Sequence, residues 1–125
     1  MDYNGYRQYK EQSVSTMTQG EMLVALYDEV IKCLTKAKLC CYNEEYDEFE
    51  SAVKRARDII SYFEQTLDRR YPISVSLMKL YEFINYKFAC VIASRNIEII
   101  EEVTPFVVEL RDTWKEADKL SKTQK

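Results

Sequence analysis

Carboxylates and thiols are the side chains here with the most reactive potential. Glu44, Glu45, Asp47, Glu48 and Glu50 crowd one short stretch and Glu98, Glu101 and Glu102 another, and cysteines stand at Cys33, Cys40, Cys41 and Cys90. Paired carboxylates can trade protons or hold a di-metal centre, and thiolates can attack electrophiles or bind metal. Each of these chemistries needs further partners. The 125 residues contain no histidine, so the commonest general base and metal ligand are missing, and no CxxC pair replaces them. Both acidic stretches fall at the starts of predicted helices, where the dipole favours negative charge without any ion. The polar opening, Met1 to Gln12, lacks the apolar core of a secretory leader, so the protein is expected in the cytosol with its cysteines as reduced thiols. No catalytic residue, cofactor or metal site is predicted, and an enzyme is not expected.

Those side chains are carried by four helical stripes in which apolar residues recur every three or four positions. Leu23, Leu26, Tyr27, Val30, Leu34, Ala37 and Cys41 form the first, behind Thr18-Gln19-Gly20-Glu21, which has capping-box spacing and predicts a helix from about Gln19 to Asn43. Phe49, Ala52, Val53, Ala56, Ile59, Phe63 and Leu67 form the second, ending before Arg69-Arg70 and Pro72. Leu77, Leu80, Tyr81, Ile84, Phe88 and Val91 form the third, with Ser74 or Ser76 as its cap. Ile99, Val103, Phe106, Leu110, Trp114 and Ala117 form the fourth, capped by Asn96, and Pro105 predicts a kink or break inside it. Short links between long helices require antiparallel neighbours. The expected fold is all-α: an up-down-up-down four-helix bundle forming one domain over 1–125, with an arm at 1–17, the bundle at 18–120 and a frayed tail at 121–125.

Two glycines and two prolines exclude Gly-rich phosphate loops, and a net charge of −3 argues against a nucleic-acid partner. No apolar run is long enough for membrane insertion. What exceeds the needs of a bundle is apolar and aromatic surface: ten tyrosines, and residues lying off the stripes. Of the latter, Ile60, Tyr62, Phe83, Tyr86, Ile100 and Val107 are expected to line outer grooves that receive an amphipathic or extended peptide. Tyr3, Tyr6 and Tyr9 recur every three residues in the arm and could cover such a groove.

Two stretches carry a family resemblance. Tyr6-Arg7-Gln8-Tyr9, with Val14 and Thr16 following, leads into Gly20-Glu21-Met22 and Leu26-Tyr27-Asp28; Leu110-Arg111-Asp112-Thr113-Trp114-Lys115-Glu116-Ala117 closes the chain. Together they resemble the opening and closing patterns of the flagellin-specific secretion chaperone family of bacterial flagella (FliS). Ala56-Arg57-Asp58-Ile59-Ile60, Thr66-Leu67-Asp68 and Leu80-Tyr81-Glu82-Phe83 resemble its intervening segments, so the likeness spans nearly the whole chain. Gln19 stands where the family carries proline, Glu29 where it carries glycine and Met22 where it carries leucine.

The resemblance implies a cytosolic export chaperone without a cofactor. Its client is expected to be the disordered C-terminal segment of flagellin, kept from premature polymerisation and competent for type III secretion, with the flagellar export gate as a further partner. It also assigns Tyr6, Tyr9 and Val14 as cover or client contact. A self-associating adaptor bundle, forming a weak homodimer through the same grooves, is the alternative.

Overall fold

The computed structural model describes residues 17–123 and consists of four helices: α1 (Gln19–Tyr42), α2 (Tyr46–Thr66), α3 (Ile73–Ser94) and α4 (Ile97–Thr123). Helix α1 packs on α2 and α4, and α3 packs on the same two, so α1 and α3 face each other across the diagonal of an antiparallel square. The all-α bundle is as expected from the stripes. Residues 1–16, and with them Tyr6, Tyr9 and Val14, lie outside the described residues.

Local chemistry explains most of the ends. The Thr18 hydroxyl accepts from the Glu21 amide at 3.1 Å, which is half of the capping box. The Asn96 side chain accepts from the Glu98 amide at 3.0 Å and starts α4 as predicted. With few glycines to spend, the chain closes α1 and α3 with charged residues in left-handed conformation, Glu44 (φ 59°) and Arg95 (φ 56°). After α1, the Glu45 amide donates to the Cys40 carbonyl at 2.8 Å and the Glu44 amide to the Cys41 carbonyl at 3.1 Å, the paired bonds of a Schellman turn. After α3, the Arg95 amide donates to the Val91 carbonyl at 2.8 Å. A left-handed non-glycine residue costs on the order of 1 kcal/mol. At Arg95 the guanidinium lies 3.9 Å from the centre of the Tyr46 ring, and the Cys41 thiol donates to the Arg95 carbonyl, both of which offset that cost.

One expectation fails locally, and one of two alternatives for Pro105 is excluded. Neither Ser74 nor Ser76 caps α3: the helix starts at Ile73, behind Pro72, and Ser74 is buried. Proline fixes its own φ at a helical value, so it can open a helix without a side-chain cap. Nor does Pro105 break α4, which continues through it. The Thr104 hydroxyl donates to the Ile100 carbonyl one turn back, a local bond beside the site of the missing amide.

The core joins all four helices, with Tyr27, Leu34, Phe49, Ile60, Ile84, Phe88, Ile100 and Val107 among its fully buried side chains. Ion pairs track the antiparallel register of α1 and α4: Asp28 with Arg111 at 3.1 Å, Lys38 with Glu101 at 3.5 Å, and Glu21 with Lys122. Each is exposed enough to contribute only about 0–1 kcal/mol. The Lys122 ammonium beside Glu21 holds that carboxyl below its ordinary range. Gly20 lies against α4, and a Cβ there would push the Asp118 carboxylate aside. Among the described residues, no helix is long and apolar enough to cross a membrane.

Candidate functional site

Of the six residues expected to line outer grooves, the structure leaves three at the surface and buries three. Tyr62 is 43% exposed, Phe83 38% and Tyr86 65%, whereas Ile60, Ile100 and Val107 are completely inside the core. The outer-face placement of those three isoleucine and valine residues is therefore corrected. Each sits in an apolar doublet (Ile59-Ile60, Ile99-Ile100, Phe106-Val107), and periodicity alone leaves open which member points inward. In α4 the seam runs through Ile100, Val103, Val107 and Leu110; the compact side chains fill it, and Phe106 is displaced to the edge, 39% exposed. In α2 both members of the doublet are buried, because the helix packs against α1 on one side and α3 on the other.

The displaced Phe106 meets Phe83 across the outer seam of α3 and α4, ring centres 5.8 Å apart in edge-to-face geometry. Lys87 lies 5.5 Å from the centre of the Phe83 ring and pairs with Glu102 at 3.2 Å. The seam thus exposes two rings beside a cation–anion pair. An incoming apolar side chain would bury the ring faces without stripping these charges of water.

A second apolar feature lies at the end of the bundle formed by the starts of α1 and α3 and the end of α2. There a cleft of about 520 Å³ opens between Leu23, Leu26, Leu67 and Leu77, with Trp114 contributed by α4 and Tyr62 among its walls. Tyr71 and Ile73, flanking Pro72, also line it and are largely exposed. Helix periodicity gave no reason to select these two, since they precede the third stripe; a proline break bracketed by large apolar side chains was the available signal. Leu77 and Trp114, members of the third and fourth stripes, lie at the partly buried margin of the core.

The deep wall of the cleft is polar at one point. Tyr81 lines it, and its hydroxyl shares a 2.8 Å hydrogen bond with that of Tyr27 inside the bundle. Burial pushes the Tyr27 hydroxyl far above the ordinary tyrosine range, with Tyr81 adding to the effect, and burial raises Tyr81 as well. Both therefore stay protonated and serve as a fixed hydrogen-bonded pair rather than as acids. The Tyr27 ring also packs against Phe63, centres 4.5 Å apart, so the wall behind the cleft is stiffened by aromatic contacts.

The four cysteines are free thiols. Burial, reinforced by Glu29, pushes the Cys33 thiol up, away from the thiolate that nucleophilic chemistry needs. Glu44, Glu45, Asp47 and Glu48 are exposed at the α1–α2 turn, and the neighbouring Glu48 carboxylate holds the Glu45 carboxyl above its ordinary value.

Residues 2–121 match the family model described as flagellar protein FliS. The chain is also similar to the protein named flagellar secretion chaperone FliS of Bacillus subtilis (strain 168), with 27% identity over 114 residues, covering 91% of this chain and 86% of that protein.

Proposed function

The chain belongs to the FliS family of flagellar proteins, and from that premise we propose that it is a flagellar secretion chaperone whose client is the C-terminal segment of flagellin. Holding that segment keeps the subunit from polymerising early and leaves it open for type III export. The observation that carries this reading is the large apolar side chains left half-exposed at helix margins, Tyr62, Phe83 and Phe106 above all. A bundle with no apolar partner would gain by burying them. The cleft beside Tyr62 offers a second foothold, so a long client can be gripped at separated points.

The energetics suit a reversible carrier. A disordered segment that folds on binding spends about 2–5 kcal/mol of its contact energy on ordering, which keeps a large interface releasable. Release is needed at the export gate, the second partner in this proposal. No catalytic step is assigned to the chain.

Titration calorimetry of the reduced protein against a peptide of the same organism's flagellin C-terminus tests the reading, with a scrambled peptide as control. One-to-one binding with a large negative heat-capacity change is expected, the signature of apolar burial coupled to folding. Absence of heat at several temperatures, from a protein shown to be folded, would overturn it. Concentration-dependent dimers under those conditions would favour the self-associating adaptor instead.

A further inference from the structure

At the end of the bundle opposite the cleft, three donor atoms meet that helical periodicity keeps apart. Cys40 in the last turn of α1, Glu45 in the turn and Glu48 in the first turn of α2 bring a thiol sulfur and two carboxylate oxygens within 4.8 Å of one another. The Schellman turn enforces this. It bonds the Glu45 amide to the Cys40 carbonyl, and Glu48 then follows three residues later on the same helix face. Cys40 is 5% exposed, and its thiol has no hydrogen-bond partner among the described residues, whereas both carboxylates are open to water. A recessed, unpartnered sulfur therefore lies beneath two surface oxygens.

We propose that Cys40, Glu45 and Glu48 bind a borderline divalent cation of the zinc class. Magnesium and calcium take oxygen ligands, and monovalent copper favours sulfur throughout, so one thiolate with two carboxylates selects the metals between. Three protein donors leave the fourth corner of a tetrahedron to water. The cation also neutralises two carboxylates that otherwise repel each other. On binding, the Cys40 thiol releases its proton to solvent and the sulfur lone pair forms the metal–sulfur bond, with no change of oxidation state. The bound ion ties the end of α1 to the start of α2, independently of any flagellin client.

The reduced full chain titrated with cobalt(II) tests this, because cobalt in such a site shows a sulfur-to-metal charge-transfer band that zinc abolishes by displacement. The band is expected in the natural sequence and absent from Cys40→Ala. In Glu45→Gln/Glu48→Gln the cobalt affinity is expected to fall by more than about tenfold, the scale that even outer-shell ligand changes reach. Both glutamates are exposed, so this double variant decides the matter if Cys40→Ala does not fold. No band, a band that survives Cys40→Ala, or unchanged affinity in the double variant would overturn the proposal.

Discussion

The hydroxyls of Tyr27 and Tyr81 meet at 2.8 Å across the diagonal of the bundle, joining two helices that otherwise scarcely touch. At the far end, the Cys41 thiol reaches the Arg95 carbonyl across the same diagonal with the same sequence offset of 54 residues, so α1 and α3 run parallel in a single register. Tyr81→Phe is expected to cost about 1–2 kcal/mol, because the buried Tyr27 hydroxyl loses the Tyr81 oxygen and keeps only the Trp114 indole beside it. Tyr27→Phe/Tyr81→Phe should recover part of that loss, since neither hydroxyl then needs one. Urea denaturation of Tyr27→Phe, Tyr81→Phe and the double variant checks this, and additive losses would show that the two hydroxyls act independently.

Core and margin separate cleanly by substitution. Ile100→Ala is expected to destabilise the fold by about 2–5 kcal/mol while leaving the client affinity of the folded protein unchanged. Phe83→Ala or Tyr62→Ala should leave stability within about 1 kcal/mol and weaken client binding about tenfold, the scale of an interface anchor. Thermal unfolding paired with calorimetry measures both quantities. A client affinity untouched by Phe83→Ala and Tyr62→Ala would remove these rings from the interface.

Deleting residues 1–16 is expected to tighten client binding. A cover that holds the groove by about 1.4 kcal/mol lowers apparent affinity about tenfold, and its removal restores that factor. Weaker binding after the deletion would identify Tyr6, Tyr9 and Val14 as client contacts instead.

The Glu21–Lys122 tie between the start of α1 and the end of α4 should respond to acid. Lys122 lowers the Glu21 carboxyl from its ordinary 4.5, so the folded state holds the proton less tightly than the unfolded chain. Its stabilising contribution is present above that pH and is lost as pH falls through the lowered value. Carboxyl-carbon NMR should place the Glu21 midpoint lower in the natural sequence than in Lys122→Met; equal midpoints would dismiss the interaction.

Much of this architecture is readable from residue order. The stripes of α1, α2 and α3 deliver buried Leu34, Phe49, Val53 and Phe88, because no second large apolar residue adjoins any of them and periodicity has one solution. Where two large apolar residues adjoin, as at Ile99-Ile100 and Phe106-Val107, either phase satisfies the pattern, and only packing against α1 and α3 decides. The same ambiguity governs the candidate site: Tyr62, Phe83 and Tyr86 are selected as off-stripe, Tyr71 and Ile73 are marked only by the proline between them, and Phe106 emerges only from three-dimensional neighbours. Cys40, Glu45 and Glu48 are invisible to any helical spacing because a turn with a left-handed Glu44 lies between them.

The square arrangement, in which three of the four packed helix pairs are neighbours in sequence, also sets a timetable. Contacts close along the chain form without large loops to close, which places such bundles among fast folders, in the microsecond-to-millisecond range. Only the α1–α4 face joins the first and last of the four helices, so it is expected to be the last sealed and the first to part. Breaking its Asp28–Arg111 pair with Arg111→Ala should therefore accelerate unfolding and leave the refolding limb of a chevron plot nearly unmoved. A slowed refolding limb would instead place the closure of the ring in the folding nucleus.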